Sequence, residues 1–147
     1  MEIERKFLIN KKPIDIKNYS ALRIEQGYLC TEPVIRIRKE NDNYILTYKS
    51  KGFLAREECN LPLTKESYEH LRTKIDGTLI KKCRHLIPLN DSLCIELDIF
   101  EGELSPLILA EVEFPDLDSA KDFVPPAWFG KEVTYDAKYH NNYLSQL

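Results

Sequence analysis

Ionised side chains alternate with apolar ones along most of this chain, and that alternation limits the fold more than any other feature. Near its start, Glu2, Glu4 and Lys6 occupy every second position and alternate with Ile3, Arg5 and Phe7. Successive side chains of a β-strand point to opposite faces, so a repeat of two predicts strands with one charged and one apolar face. The charged face of such a sheet either meets solvent or encloses a site.

Eight segments show this repeat, separated by turn residues or helical patterns. We predict strands over residues 2–9, 22–30, 34–39, 44–50, 55–61, 79–87, 93–100 and 107–114. Residues 40–43 are typical of a hairpin turn between the third and fourth strands. These segments predict an α+β protein of mainly antiparallel β structure. The expected architecture is a closed or nearly closed eight-stranded barrel with peripheral helices, folded as a single domain over residues 1–147.

Three helices are predicted around this sheet. They begin after the cap residue Thr64, after residue 116, and at Thr134. In the first, Tyr68, Leu71 and Ile75 recur at helical spacing, and an Asp-Gly pair at 76–77 is expected to end it. The second is short and reaches residue 123. In the last, three tyrosines recur every four residues and are predicted to pack rather than to bind a nucleotide.

The charges on the predicted strands are sorted by sign. Acids occupy the first, seventh and eighth strands, and most bases occupy the third, fourth and sixth. The acids are Glu2, Glu4, Glu96, Asp98, Glu111 and Glu113, and the bases are Arg36, Arg38, Lys49, Lys82 and Arg84. Alternation usually means that the polar face meets water. Positions that are almost all ionised and segregated by sign favour a lumen instead, where each charge must be paired or bound to a ligand.

A lumen with an acidic and a basic wall suits a polyphosphate that carries a metal ion. Clustered carboxylates hold hard divalent cations such as Mg²⁺ or Mn²⁺. Arginine binds phosphate oxygens in bidentate geometry, and lysine binds them as a point charge. The residues alone therefore predict a metal-dependent phosphoryl-transfer or polyphosphate-binding site.

The composition argues against several other classes of protein. The net charge of −3 gives no basic excess for a nucleic-acid partner. No apolar run approaches the roughly 18 residues that cross a bilayer, and the charged motif at Glu2 is expected to leave no room for a signal peptide. The cysteines Cys30, Cys59, Cys83 and Cys94 form no C-x-x-C pair. They are predicted to be small buried hydrophobes in a reducing compartment. We therefore expect a cytoplasmic protein without a nucleic-acid or membrane partner.

The order of the charged motifs resembles the CYTH, or triphosphate tunnel metalloenzyme, superfamily. Its N-terminal signature E-x-E-x-K is matched by EIERK at residues 2–6. The further matches are IEQGYL at 24–29, RIR at 36–38, TYK at 47–49, KCR at 82–84, ELD at 96–98, AEVEF at 110–114 and EVT at 132–134. The ordered set covers nearly the whole chain and is similar to the short bacterial members, among which inorganic triphosphatases are common.

Two positions depart from the family pattern. The fifth strand often reads R-x-E-x-E in the family, whereas Arg56 and Glu58 are followed here by Asn60. This change weakens any role for Asn60 in metal binding. Pro106 stands where relatives often have glycine before the E-x-E strand, and it is expected only to alter a turn.

The resemblance implies a tunnel that binds a linear triphosphate along its basic wall. The implied metal ligands are Glu2, Glu4, Asp98, Glu111 and Glu113, and the implied phosphate-binding residues are Lys6, Arg36, Arg38, Lys49, Arg56, Lys82 and Arg84. The residues expected to be catalytic are Glu2, Glu4, Lys6, Lys49, Glu111 and Glu113. Glu58 and Glu96 either bind the metal or orient a neighbouring lysine or arginine.

The activity that the resemblance implies is Mg²⁺- or Mn²⁺-dependent hydrolysis of inorganic tripolyphosphate, with nucleoside triphosphates as further substrates. Thiamine triphosphatase and class IV adenylate cyclase are alternatives within the family, and a non-catalytic binder of polyphosphate is the alternative from another class. Thiamine would want an aromatic platform, and the only tryptophan, Trp128, lies in a late loop. Carboxylates on three strands argue against a pure anion binder. The sequence leaves the oligomeric state open, with a homodimer as one possibility.

The remaining aromatic and imidazole side chains are expected to be structural. Tyr28 and Tyr48 are predicted to pack, His70 and His140 to lie at the surface or cap a helix, and His85 to point outward. The C-terminal helix could close one mouth of the tunnel, as it does in some members of the family.

Overall fold

The sheet dominates the structure, a computed structural model that describes residues 1–90 and 92–147. Its strands are β1 (Glu2–Leu8), β2 (Ser20–Thr31), β3 (Val34–Glu40), β4 (Asn43–Lys49), β5 (Ala55–Arg56), β6 (Glu58–Pro62), β7 (Asp76–Pro88), β8 (Cys94–Phe100) and β9 (Ile108–Glu113). The α-helices are α1 (Lys65–Arg72), α2 (Leu117–Asp122) and α3 (Asn141–Leu144), and 3₁₀ turns lie at Ile16–Asn18, Gly102–Leu104 and Ala137–Tyr139. All ladders are antiparallel, which confirms the predicted class.

The two edges of the sheet belong to one stretch of chain, and this closes the tunnel. The strand order is β5-β1-β9-β8-β7-β2-β3-β4-β6, and only Glu57 separates β5 from β6. The Ser50 amide donates to the Glu57 carbonyl oxygen at 3.0 Å, and Ser50 Oγ accepts from the Glu57 amide at 2.8 Å. The single strand predicted over residues 55–61 is therefore two strands, because the segment pairs with β1 before Glu57 and with β4 after it.

The apolar face of the sheet lies outside the barrel, beneath helices and loops. Leu97 and Val112 are fully buried there in a cluster with Ala120 of α2. Ile37 is fully buried on β3, against which α1 packs. Trp128 belongs to the same outer cluster as Leu97, so it packs rather than faces a ligand. The sheet therefore turns its apolar face outward, as a barrel with a charged lumen requires.

The helices are shorter than the sequence predicts. A capping box starts α1: Thr64 Oγ1 accepts from the Ser67 amide at 3.1 Å, and Ser67 Oγ accepts from the Thr64 amide at 3.0 Å. The helix ends at Arg72, and the Asp-Gly pair at 76–77 begins β7 instead of ending α1. The predicted helix from Thr134 is a 3₁₀ turn followed by one turn of α-helix, because His140 adopts an extended backbone between them.

The cysteines differ from the prediction in their burial. All four are free thiols, but Cys59 and Cys94 are exposed, and Cys30 and Cys83 are only partly buried. The prediction that they act as buried hydrophobes is therefore wrong. Within the described residues, none of the helices has the length and apolar character needed to cross a membrane.

A substitution on the outer face tests this orientation. Leu97→Ala should lower the free energy of unfolding by about 2–5 kcal/mol, because it leaves a cavity in a fully buried cluster. Urea denaturation measures the change. The control is Leu61→Ala on β6, whose residue is 53% exposed and should change stability by less than about 0.5 kcal/mol. Equal small losses in both variants would contradict the outward packing of Leu97.

Candidate active site

The charged face of the sheet encloses a cavity of about 320 Å³. The predicted site residues that line it are Glu2, Glu4, Lys6, Arg36, Arg38, Lys49, Arg56, Glu58, Arg84, Glu96, Glu111 and Glu113. Lys82 and Asp98 were predicted with this set, but they lie in the wall behind the cavity and are fully buried. Arg36 and Glu111 share one lumen, as the tunnel architecture requires.

Strand order explains why the two signs face each other. The acidic strands β1, β9 and β8 are direct neighbours, and their register places Glu4 opposite Glu113 and Glu96 opposite Glu111. The basic residues Arg36, Lys49 and Arg84 come from β3, β4 and β7 on the other part of the barrel. One half of the wall is therefore mostly acidic and the other mostly basic.

Most of the acids are paired with bases on neighbouring strands, and the pair of Lys49 with Glu2 joins β4 to β1 where the sheet closes. Lys49 Nζ donates to both oxygens of Glu2, at 3.0 and 2.9 Å, and lies 3.3 Å from Glu58 Oε2. Arg56 Nε also contacts Glu2 at 3.3 Å, and Lys6 Nζ lies 3.3 Å from Glu111 Oε1. Burial opposes the ionisation of Glu2, but Lys49 outweighs it and holds the pKa of Glu2 below its usual value. These pairs keep buried charges compensated.

Glu4 and Glu113 are different, because neither forms an ion pair with any residue that the structure describes. Burial, together with the charges of Glu111 and Glu2, raises the pKa of Glu4 to about 8. Burial and three neighbouring carboxylates also raise the pKa of Glu113. The acidic wall therefore has more carboxyl groups than its own bases can pair, and the raised pKa values of Glu4 and Glu113 favour their protonated forms in the absence of a cation.

The donor chemistry of this wall fits a hard divalent cation. Carboxylate oxygens are the ligands that Mg²⁺ and Mn²⁺ prefer, and Glu4 and Glu113 face each other across β1 and β9 without a competing base. As the described side chains lie, no three acidic, His or Cys groups already converge on a common point. Side-chain rotation would have to bring Glu2 or Glu111 to such a point, away from Lys49 or Lys6.

The basic wall holds guanidinium groups close together. Arg38 Nε donates to Gln26 Oε1 at 2.7 Å, and Arg36 Nη2 donates to Thr47 Oγ1 at 3.3 Å. Within the described structure, Arg36 Nε is buried without a hydrogen-bond partner. Burial, with the charges of Arg36 and Arg84, lowers the pKa of Arg38 to about 10. Unused donors and like-charge repulsion both favour an anion in this half of the cavity.

Sequence reasoning missed several polar residues of the lumen. Gln26 and Thr47 each accept a hydrogen bond from an arginine, and Asn60 Oδ1 accepts from Thr47 Oγ1 at 2.6 Å. Tyr28 packs in an apolar cluster, as predicted, but it also lines the cavity opposite Arg36. Thr47 and Asn60 share the parity of the charged positions on their strands, so the pattern could have indicated them. Gln26 and Tyr28 could not be found this way, because the charged residues of β2, Arg23 and Glu25, have the opposite parity.

The C-terminal segment lies at the cavity. Asn141 and Asn142 line it, and Lys6 Nζ donates to the Tyr139 carbonyl oxygen at 3.2 Å. Gly77 has a positive φ of 69°, and a Cβ there would collide with the Ser145 carbonyl oxygen. This segment therefore packs tightly against β7, although it is not the long helix that was predicted.

Of the two histidines predicted to lie at the surface or cap a helix, one is exposed and the other is buried. His70 is exposed, as predicted. His140 precedes α3 but is buried, and its Nε2 lies 2.8 Å from the Thr134 carbonyl oxygen. Burial and the charge of Lys6 lower the pKa of His140 to about 4. Of the two places predicted for His140, the surface is wrong and the helix cap is right, since His140 occupies the N-cap position of α3 without a side-chain capping bond.

A nearly closed antiparallel tunnel whose lumen opposes carboxylates to guanidinium and ammonium groups defines a class of protein built to hold a polyanion. The CYTH domain family model matches residues 1–132. This chain belongs to the CYTH domain family.

Two curated relatives extend the comparison over almost the full length. An inorganic triphosphatase of Nitrosomonas europaea is 41% identical over 147 residues, covering 98% of this chain and 96% of that protein. An inorganic triphosphatase of Acetivibrio thermocellus is 33% identical, covering 97% and 92%. The crystal structure of an inorganic triphosphatase covers 100% of this chain and 95% of its own, at 38% identity and a TM-score of 0.74.

The raised pKa of Glu4 predicts a pH-dependent stability when metal is chelated. Glu4 binds its proton more tightly in the folded than in the unfolded chain. The stability that this gives is complete below the usual pKa of 4.5 and is lost as the pH rises towards about 8. Wild type should therefore lose a few kcal/mol more than Glu4→Gln across this range, at about 1.4 kcal/mol per pKa unit.

Urea denaturation in the presence of a chelator, at several pH values between about 5 and 8, measures this difference. Glu113→Gln is the matched control, because Glu113 is more exposed and should show a smaller effect. Parallel stability curves for wild type and Glu4→Gln would show that Glu4 is ionised throughout.

Proposed function

We propose that this protein is an inorganic triphosphatase that hydrolyses tripolyphosphate and releases orthophosphate. The observation that carries the proposal is a closed lumen with opposed acidic and basic walls, in a chain 41% identical to an inorganic triphosphatase over 98% of its length. The cavity of about 320 Å³ is mostly polar in its lining, which suits a small polyanion rather than an apolar ligand.

The basic wall binds the phosphate chain in this proposal. Arg36 and Arg38 supply guanidinium donors that can bind in bidentate geometry, and Arg84 presents its Nη1 nitrogen. Lys6, Lys49 and Arg56 supply further positive charge next to the acids. Cations held in a buried, shaped cavity stabilise the negative charge on the phosphoryl oxygens without having to reorganise during the reaction. Lys82 contributes its charge from behind the wall rather than by contact.

The acidic wall holds a divalent cation. Glu4 and Glu113 are the first ligands, because within the described structure no base has to be displaced from them, and Glu2 and Glu111 would complete the set when their lysines contact the substrate. Mg²⁺ or Mn²⁺ fits these oxygen donors and supplies charge neutralisation at the phosphoryl group. Glu58 and Glu96 contact Lys49 and Arg84, at 3.3 and 2.9 Å, which supports a role in orienting these bases.

The contents of the outer cluster and the free thiols bear on the substrate and the cellular compartment of the enzyme. The substrate class is a small-molecule triphosphate, and inorganic tripolyphosphate is favoured over thiamine triphosphate because Trp128 packs in the outer cluster. Four free thiols support a reducing cytoplasm. The single domain over residues 1–147 stays a prediction, and a homodimer stays one possibility for the assembly.

Phosphate release tests the activity directly. With Mg²⁺ or Mn²⁺, wild type should release orthophosphate from tripolyphosphate faster than from ATP, thiamine triphosphate or pyrophosphate. Glu4→Gln and Glu113→Gln should each lose most of this activity while keeping the fold, because each removes an anionic ligand at nearly constant shape. Release from none of these substrates would favour the non-catalytic binder, and cyclic AMP from ATP would favour the cyclase.

A second prediction concerns the basic wall. Arg38→Ala should raise KM for tripolyphosphate and lower kcat, together by at least about ten-fold in kcat/KM, because a buried guanidinium contact is lost. Arg38→Lys should recover only part of the lost kcat/KM, since the ammonium keeps the positive charge but cannot form the bidentate contact of a guanidinium.

Thermal denaturation with tripolyphosphate and a chelator separates binding from scaffolding. Wild type should gain Tm with ligand, and Arg38→Ala should gain much less. Arg23→Ala is the control, because Arg23 pairs with Glu101 outside the barrel and is 68% exposed in its side chain. Equal gains in wild type and Arg38→Ala would make Arg38 part of the scaffold.

A further inference from the structure

We propose that Asp98 is a positioning residue, which fixes the Arg84 guanidinium so that one of its nitrogens is presented to the phosphate-binding cavity. This inference rests on the proposed function. It gives Asp98 a role other than that of the metal ligand implied by the family resemblance.

The contact between the two side chains is bidentate: two parallel hydrogen bonds join the guanidinium to the carboxylate. Asp98 lies directly opposite Arg84 in the ladder between β7 and β8. Arg84 Nε donates to Oδ1 at 2.7 Å, and Nη2 donates to Oδ2 at 2.9 Å. The remaining nitrogen, Nη1, donates to Glu96 Oε2 at 2.9 Å, and Glu96 lines the cavity. The fork therefore fixes both the position and the plane of the guanidinium.

Lys82 completes the arrangement from behind. Its Nζ lies 2.7 Å from Asp98 Oδ2 and 5.4 Å from the centre of the Phe100 ring. The side chains of Lys82 and Asp98 are both fully buried. One carboxylate thus serves two buried cations, and burial lowers the pKa of Lys82 to about 7 even though Asp98 opposes that shift.

The same contacts leave Asp98 poorly placed to bind a metal ion. Oδ1 is bound by Arg84 Nε, and Oδ2 is shared by Arg84 Nη2 and Lys82 Nζ. Asp98 does not line the cavity, whereas Glu4 and Glu113 do, and these two have no base to displace within the described structure. A divalent cation would have to separate Asp98 from two cations that need it as their counter-charge.

Tripolyphosphate binding with metal chelated, measured by calorimetry, tests the role. Asp98→Asn should raise Kd by about ten-fold or more, because the amide nitrogen cannot accept from Arg84 and the guanidinium loses its fixed plane. Mn²⁺ binding without tripolyphosphate, measured by electron paramagnetic resonance, should stay within about two-fold of wild type. The reverse result, weaker Mn²⁺ binding and unchanged tripolyphosphate binding, would make Asp98 a metal ligand and overturn the proposal.

A double-mutant cycle shows whether Asp98 acts through Arg84. In an Arg84→Lys background there is no guanidinium for Asp98 to hold in a fixed plane. Asp98→Asn should therefore change Kd by less than about two-fold there. Multiplicative effects of the two substitutions would overturn the proposal. Glu101→Gln is the matched control: Glu101 holds Arg23 by a similar fork, at 3.0 and 3.0 Å, outside the barrel, and its loss should leave Kd unchanged.

If Asp98→Asn fails to fold, Asp98→Glu carries the same measurements, because it keeps the negative charge but displaces the fork by one methylene. A wild-type Kd in Asp98→Glu would assign Asp98 to the scaffold and overturn the proposal. Hydrolysis by wild type is scored separately. If wild type binds tripolyphosphate without releasing phosphate, the proposed function fails, and the binding measurements still decide the role of Asp98.

Discussion

The pairing of opposite charges inside the sheet is the constraint on which the rest of this structure depends. A single buried ionised group without a partner is too costly for a domain of marginal stability. This chain buries many, and it does so by placing acids and bases on opposite halves of one lumen. The contact of Lys49 with Glu2, at 2.9 Å, joins β4 to β1 at the seam where the sheet closes, so closure of the sheet and compensation of charge occur together.

Once the charges face inward, the apolar residues must find their core outside. Leu97 and Val112 pack beneath α2 and the loop that carries Trp128, so the helices shield a barrel whose hydrophobic face is external. The division lets the outer cluster supply most of the hydrophobic stabilisation. The lumen can therefore hold charged side chains that bind a ligand. Their burial costs stability, and the ion pairs among them limit that cost.

The sequence is sufficient to predict the strands and most of the lumen, because a repeat of two with sorted charges has few other solutions. It does not predict the break at Glu57, which arises from a change of pairing partner that only the closed sheet imposes. Nor does it separate Asp98 from Glu96: both share one parity, and depth along the lumen decides which one reaches the cavity. Gln26 was overlooked because a neutral residue carries no charge pattern, although its register with Arg38 is fixed.

The electrostatics of the two walls predict that metal and polyanion favour each other's binding. Burial and neighbouring carboxylates raise the pKa of Glu4, and burial and neighbouring guanidinium groups lower that of Arg38, so like charges repel one another within each wall. A cation at the acids relieves the first, and phosphate oxygens at the bases relieve the second. Either ligand also displaces pairs such as Lys49 with Glu2, which frees a partner for the other. The lumen is therefore arranged so that binding of the first ligand lowers the cost of binding the second.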